Sequence, residues 1–173
     1  MPDLEKLRRA LQQEALRLLV RREHSRQELV QKLVRRLQTF PAAQKLDTEA
    51  QAALVSVLVD ELGNKRFQSD QRFAQQRAIH RGARYGNQRI KQELSQRGVD
   101  DQTISEALEE GGDERVRCRN VWLKKFGQAA TSREEIAKQV RFLQYRGFSG
   151  ATIRHVMKTS SDVSSDELTL EES

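Results

Sequence analysis

The residue types that could support catalysis or metal binding occur singly in this sequence. His24, His80 and His155 are far apart, and none has another histidine or a cysteine three or four residues away on the same helix face. The only cysteine, Cys118, falls on the apolar face of a predicted helix, where we expect a core thiol rather than a nucleophile. There is also no glycine-rich loop ending in Lys-Ser or Lys-Thr to hold a phosphate. We therefore predict no enzyme, no cofactor and no metal site.

The residues whose spacing does indicate a function are basic. Arg77, Arg81 and Arg84 are four and three residues apart, so they share one face of a predicted helix. Like charges at this spacing repel by roughly 0.2 to 0.5 kcal/mol per pair, and we expect a negatively charged partner to offset that repulsion. The other candidates for the same binding surface are Arg89, Lys91, Arg97, Arg115, Arg119, Lys124, Lys125, Arg141 and Arg146.

The charge of the chain is unevenly distributed. The 173 residues carry a formal net charge of +6, but residues 160–173 contain five acidic and no basic residues, so the preceding 159 residues carry +11. A basic body of this kind is typical of proteins that bind nucleic acid or an acidic protein surface. No apolar run approaches membrane-spanning length, and a single cysteine is compatible with a reducing compartment. We therefore expect a cytoplasmic protein with no membrane partner.

The apolar residues recur at the three- and four-residue spacing of helices, and no stretch alternates as a strand would. In the middle of the chain one helix ends at Gly98, where we expect a positive φ, and Asp100 is expected to cap the next helix. The same separation of six residues recurs from Gly98 to Ile104 and from Gly147 to Ile153. This recurrence predicts buried positions at Ile90, Leu94, Ile104, Leu108, Ile136 and Ile153.

A third and more divergent copy of the pattern begins at Ser25, where Ser25 and Glu28 have the spacing of a capping box. We therefore predict an all-α protein without sheet: an elongated tandem array of three three-helix repeats, in the form of a small right-handed-type helical solenoid. The expected segments are a divergent first repeat at 1–66, a central repeat at 67–112, a third repeat at 113–159 and an acidic, serine-rich, disordered tail at 160–173.

Six groups of residues between positions 10 and 158 carry a family resemblance. They are Arg22-Glu23-His24-Ser25-Arg26 with Glu28-Leu29; Asp70 with Arg72-Phe73-Ala74; Gly86 with Arg89-Ile90 and Glu93-Leu94; Arg97-Gly98-Val99; Leu123-Lys124-Lys125-Phe126; and Phe142-Leu143-Gln144-Tyr145-Arg146-Gly147-Phe148-Ser149. In these residues and their order the chain resembles the RecX family of bacterial RecA regulators. It departs from the family pattern at Gln71, where a second acid is common, and in lacking a Gly-aromatic turn in the first repeat.

The resemblance implies a non-catalytic protein that binds RecA and the RecA–DNA filament. It further implies inhibition of filament extension, ATP hydrolysis and recombination, and thus a role in DNA repair and the SOS response. We expect a monomer that also binds single- or double-stranded DNA weakly and without sequence preference. On this reading, reversing Arg77, Arg81 and Arg84 to Glu should leave the fold intact and abolish inhibition of RecA.

Two other classes of function compete with this interpretation. A stand-alone DNA-binding protein would use a helix-turn-helix within one repeat, but it would usually show one distinguished recognition helix and a dimer interface. A helical adaptor with no role in nucleic-acid binding is disfavoured by the +11 charge of residues 1–159. Aromatic residues are few, so base stacking is not the expected mode of contact. We instead expect core packing for Trp122, Phe126, Phe142 and Phe148.

Overall fold

The structure, a computed structural model, describes the backbone of residues 2–167 and the side chains of residues 4–159. Within that range the chain forms nine α-helices and one 3-10 helix, with no β-strand, so the predicted all-α fold is confirmed. The α-helices are α1 (Pro2–Arg21), α2 (Arg26–Leu37), α3 (Thr48–Asn64), α4 (Asp70–Gly82), α5 (Asn87–Ser95), α6 (Asp101–Glu110), α7 (Glu114–Lys125), α8 (Arg133–Tyr145) and α9 (Gly150–Glu167); the 3-10 helix is Pro41–Lys45. None of these helices is long and apolar enough to cross a membrane.

The helix boundaries follow from local capping chemistry. Ser25 Oγ accepts a hydrogen bond from the Glu28 amide at 3.1 Å and so caps α2, as its spacing predicts. Asp100 caps α6 in the same way, through the Thr103 amide at 2.9 Å. Gly98 has a φ of 76°, which confirms the left-handed conformation expected where the preceding helix ends.

Spatial packing divides the chain into two compact units. The first comprises residues 1–76 and 95–103, and the second comprises residues 77–94 and 104–173. In the first unit, α1, α2 and α3 enclose a core in which Leu11, Leu29 and Leu33 have no exposed surface. The predicted central repeat thus contributes residues to both units. The boundaries of the three repeats and the monomeric state stay predictions.

The second unit has its own core between α7, α8 and α9. Its buried members are Cys118, Val121, Trp122, Leu143, Phe148, Ile153 and Val156. Cys118 has no exposed surface, and burial raises the pKa of its thiol to about 12, which confirms it as a core residue. Phe126 and Phe142 pack against this core in an edge-to-face pair with ring centroids 5.3 Å apart.

Four of the six predicted core positions are confirmed and two are wrong. Ile90, Leu94, Ile104 and Ile153 are buried, whereas Leu108 is half-buried and Ile136 is 44% exposed. In α6 the buried position after Ile104 is Ala107, three residues on instead of four. Ile136 lies in the first turn of α8, one turn before Gln139 and beyond the edge of the core, so the helical spacing continues where the packing has ended.

The last helix extends into the segment expected to form the acidic tail, and the boundary and disorder of that tail stay predictions. Helix α9 continues to Glu167, so the backbone of residues 160–167 is helical. No glycine or proline follows Gly150 within this helix, and helix propagation costs far less than nucleation, so the acidic serine-rich composition does not by itself end it. Residues 168–173, to which the prediction also applies, lie outside the described residues.

Candidate functional site

The basic helix face predicted at Arg77, Arg81 and Arg84 is divided in the structure. Arg77 Nε and Arg81 Nε each donate to a carboxylate oxygen of Glu93 on α5 at 2.9 Å. Only Arg84 is exposed, in the turn after α4. Glu93 therefore offsets within the chain part of the repulsion for which we expected a negatively charged partner. Reversing all three would bring new carboxylates against Glu93, so an intact fold is no longer expected for that variant.

The carboxylate of Glu93 is ionised by this arrangement. Burial raises its pKa, but the hydrogen bonds and positive charge of Arg77, followed by those of Arg81, outweigh the burial. The pKa of Glu93 therefore lies below its ordinary value of 4.5. With only 17% of the Glu93 side chain exposed, the ion pairs join α4 to α5 and hold the Arg81 guanidinium in place.

Three arginines surround the ring of Tyr85, a residue that sequence reasoning missed. The guanidinium carbon lies 4.3 Å from the ring centroid for Arg81, 4.6 Å for Arg89 and 5.4 Å for Arg146. Arg146 also lies 4.9 Å from the centroid of Phe142. These are cation–π distances, and the sequence signal for them is a tyrosine inside an arginine-rich stretch. We call Tyr85, Arg146 and Phe142 the aromatic–guanidinium stack.

The stack is held by a joint between two loops of the second unit. The Gly86 amide donates to the carbonyl of Arg146 at 2.9 Å, and the Gln88 amide donates to the carbonyl of Gly147 at 3.1 Å. In return, Arg146 Nη1 donates to the carbonyl of Arg84 at 3.2 Å. The loop before α5 and the loop before α9, about sixty residues apart in sequence, are thereby fixed together.

A half-buried arginine on α7, Arg117, also bonds to the loop that carries Tyr85. Arg117 Nη1 donates to the carbonyl of Tyr85 at 3.2 Å, and Arg117 Nη2 donates to the side-chain oxygen of Asn87. The Glu114 carboxylate accepts a hydrogen bond from the main-chain N–H of Asn87 at 2.6 Å and another from the Thr152 hydroxyl at 2.7 Å. Burial lowers the pKa of Arg117 despite the nearby carboxylate of Glu114. The position of Tyr85 is therefore set by backbone contacts and not only by its own ring.

A groove of about 710 Å³ lies beside the stack in the second unit. The described residues that line it are Ala83, Arg84, Tyr85, Asn120, Val121, Lys124, Lys125, Phe142 and Arg146. Four of these are cationic and none is acidic. Because like charges gathered in a concave surface reinforce one another, the groove is suited to bind an anion with some apolar surface.

The structure brings about half of the predicted basic residues together. Four of them line the groove: Arg84, Lys124, Lys125 and Arg146. Arg81 and Arg89 do not line it, but their guanidinium groups lie over the ring of Tyr85, which does. Arg77 is paired with Glu93, and Arg97 belongs to the first unit, where its guanidinium lies 3.5 Å from Glu28. The remaining candidates are exposed on the second unit outside the groove lining: Lys91, Arg115, Arg119 and Arg141.

Family models match two segments of the chain. The model for "RecX, second three-helix domain" matches residues 69–108, and the model for "RecX, third three-helix domain" matches residues 113–157. The groove-lining residues Arg84 and Tyr85 fall in the first segment, and Lys124, Lys125 and Arg146 fall in the second.

Relatives over nearly the full chain carry the same name. The protein called "Regulatory protein RecX" from Chromobacterium violaceum is 44% identical over 154 residues, which cover 89% of this chain and 93% of that one. Its namesake from Herminiimonas arsenicoxydans is 40% identical over 91% of this chain and 97% of its own length. The protein of that name from Neisseria meningitidis serogroup C is 33% identical over 157 residues, which cover 91% of this chain and 95% of its own length.

A solved structure has the same fold. The crystal structure of RecX from Lactobacillus salivarius superposes with a TM-score of 0.71, covering 91% of this chain and 98% of that chain at 19% sequence identity. At that identity the likeness concerns the fold alone.

Proposed function

This chain belongs to the RecX family, and we propose from that premise that it is a non-catalytic regulator that binds RecA and the RecA–DNA filament. In this proposal it inhibits filament extension, and with it ATP hydrolysis and recombination. The observation that carries the proposal is the similarity to proteins called "Regulatory protein RecX" over most of the chain. The assignment to DNA repair and the SOS response, the cytoplasmic location and the absence of catalysis belong to the same proposal.

The charge of the second unit supports a contact with a nucleoprotein filament. Such a filament presents DNA phosphates and acidic side chains together, and the groove offers four cations with no acid among its described lining residues. Two of them, Lys124 and Lys125, are exposed in the last turn of α7. Contacts of this type give modest, sequence-independent affinity for DNA that falls steeply with salt, because they release condensed counterions.

The test is RecA's ATP hydrolysis on single-stranded DNA, measured against increasing amounts of this protein. We expect the rate of hydrolysis to fall, and we expect RecA to retain the protein in a pull-down that is strengthened by single-stranded DNA and ATP. If the protein neither binds RecA nor changes its ATP hydrolysis at saturating concentration, the proposed function is wrong.

A charge-reversal variant then tests the surface. We expect the triple variant Arg84→Glu, Lys124→Glu, Lys125→Glu to inhibit RecA much less than the parent, because three of the four groove cations have become anions. The matched control reverses three exposed cations of the same unit outside the groove lining, Arg133, Lys138 and Arg154. Helicity is measured for both variants. Equal inhibition by the two variants would place the contact outside the groove.

The same measurements separate the alternative of a stand-alone DNA-binding protein. That function requires tight, sequence-selective binding to duplex DNA which survives high salt. It also requires no effect on RecA beyond competition for DNA. Weak, salt-sensitive binding together with RecA retention contradicts it.

A further inference from the structure

The groove of the second unit combines cations with aromatic surface, and this combination is more specific than a basic patch. Its volume of about 710 Å³ is in the range of pockets that enclose a small organic ligand. Phosphate neutralisation alone needs only exposed lysines or arginines on a convex surface. A concave surface that includes the half-buried rings of Tyr85 and Phe142 offers apolar contact as well.

Two carboxylates that bond to residues next to the groove lining, Glu93 and Glu114, already have hydrogen-bond donors within the second unit. Glu93 accepts from Arg77 and Arg81, and Glu114 accepts from Asn87 and Thr152. The cations that line the groove, Arg84, Lys124, Lys125 and Arg146, therefore face it without a carboxylate among the described lining residues. An anion that enters would not compete with an internal ion pair.

The aromatic–guanidinium stack is a surface on which a nucleobase can lie. Arg146 is close to both rings, at 5.4 Å from the Tyr85 centroid and 4.9 Å from the Phe142 centroid. Proteins hold unstacked bases against aromatic rings and against the planes of arginine guanidinium groups in this way. The stack is fixed in advance by the joint between Gly86 and Arg146, so it loses little conformational entropy on binding.

We infer that this groove binds a nucleotide of single-stranded DNA, with the backbone phosphate on its cations and the base against the aromatic–guanidinium stack. The inference rests on the proposed function only in taking DNA as the polymer. A duplex does not fit the same description, because its bases are paired and stacked and do not reach a recessed ring. The groove therefore favours single strands over duplexes of equal charge, and it contacts bases without reading their sequence.

The decisive comparison uses the unmodified protein and two probes of equal charge. One is an oligothymidylate and the other is an abasic phosphodiester oligomer of the same length. If a base occupies the groove, the oligothymidylate binds roughly 5- to 150-fold more tightly, which corresponds to the stacking of one base. The dependence of the dissociation constant on salt concentration is the same for both probes, since the phosphates are the same. Equal affinity for the two probes overturns the inference.

Variants locate the effect in the groove. Tyr85→Phe keeps the ring and is expected to keep the preference for oligothymidylate, whereas Tyr85→Leu reduces it. The double variant Lys124→Gln, Lys125→Gln is expected to bind both probes more weakly, by the same factor. The double variant Arg133→Gln, Lys138→Gln removes the same charge outside the groove and is the control. If Tyr85→Leu retains the full preference, the base lies elsewhere and the inference is wrong.

A covalent readout avoids reliance on variants that fail to fold. An oligonucleotide that carries 5-iodouracil is irradiated on the unmodified protein, and the cross-linked peptide is identified by mass spectrometry. A cross-link at Tyr85 or Phe142 supports the inference, and cross-links only outside the groove overturn it. Thymidine monophosphate serves as a competitor: displacement at concentrations near the dissociation constant of the oligonucleotide overturns it in favour of a free-nucleotide site.

RecA is absent from all of these binding and cross-linking experiments. Failure of the base preference therefore leaves inhibition of RecA as a separate question. Failure of RecA inhibition likewise leaves the binding of single strands to be judged by its own result.

Discussion

Gly86 and Gly147 approach so closely that no side chain fits between them. A β-carbon on Gly86 would overlap the carbonyl group of Gly147, and a β-carbon on Gly147 would lie 2.5 Å from that of Arg89. This approach lets the Gly86 amide reach the carbonyl of Arg146 and the Gln88 amide reach that of Gly147. The loop that carries Tyr85 is therefore fixed to the loop that carries Arg146 by main-chain contacts that only glycine permits.

Gly86→Ala is expected to destabilise the protein. The added methyl group meets backbone atoms that cannot move aside, so we expect a loss of about 1 to 3 kcal/mol in the free energy of unfolding, measured by urea titration. The arginine positions around Tyr85 should be disturbed as well, with weaker binding of single-stranded DNA.

Gly150→Ala is the matched control for that prediction. A β-carbon on Gly150 meets only the flexible end of Arg154, and Gly150 is the first residue of α9. We expect no loss of stability there and a gain of up to about 1 kcal/mol from the reduced freedom of the unfolded chain. Equal effects of the two substitutions would contradict the close approach.

Leu94→Ala should lower the free energy of unfolding by about 2 to 5 kcal/mol, because the Leu94 side chain has no exposed surface and its truncation leaves a cavity. Ile136→Ala, at a position that the sequence pattern treats as equivalent, should cost well under half as much, since 44% of Ile136 is exposed. Both free energies of unfolding come from urea denaturation followed by circular dichroism. Comparable losses would mean that Ile136 is buried in solution.

The pairing of Glu93 with Arg77 and Arg81 should make stability depend on pH in acid. The pKa of Glu93 is lower in the folded than in the unfolded protein. Its ionised carboxylate therefore stabilises the folded state at pH values above 4.5, the ordinary pKa of the group. That contribution is lost as the pH falls from about 4.5 through the lowered pKa. Glu93→Gln should therefore cost about 1 to 3 kcal/mol at pH 7 and progressively less in acid.

The control for charge alone is Glu109→Gln, at an exposed position of α6. We expect it to change the free energy of unfolding by no more than about 0.5 kcal/mol at any pH. If the difference between the parent and Glu93→Gln stays constant from pH 7 to pH 3.5, the ion pairs with the two arginines do not form.

Gln139→Leu should leave a buried donor without an acceptor. Trp122 Nε1 donates to Gln139 Oε1 at 2.7 Å, and both side chains are buried. We expect a loss of about 1 to 3 kcal/mol in the free energy of unfolding. In a Trp122→Phe background, which has no such donor, the same substitution should cost less. The free energy of unfolding is measured by circular dichroism for the parent, the two single variants and the double variant. If the losses of the two single variants add up to the loss of the double variant, the hydrogen bond contributes nothing to stability.

The sequence by itself determined the elements of this protein. Helices, caps and the left-handed Gly98 depend on residues within one or two turns of each other, and their spacing is written directly in the chain. The burial of Ile90, Leu94, Ile104 and Ile153 followed from the same local periodicity. The grouped motifs also carried the resemblance to the RecX family, which the matching family models and the relatives confirm.

Periodicity stopped being informative at the edges of the packed cores. A spacing of three or four residues states which side chains share a face, but it does not state where the neighbouring helix ends. Ile136 and Leu108 therefore looked equivalent to Ile153 and Leu94 in sequence, although only the latter two are covered in the structure.

Only the tertiary structure decided which charges are available to a partner. Arg77 and Arg84 look alike in the sequence, yet the approach of α5 places Glu93 against Arg77 and leaves Arg84 in the groove. The aromatic–guanidinium stack joins residues about sixty positions apart through the contact of two glycine-containing loops. Ion pairs and stacked rings form at distances of a few ångström, and such distances between remote residues are set by helix packing and not by spacing along the chain.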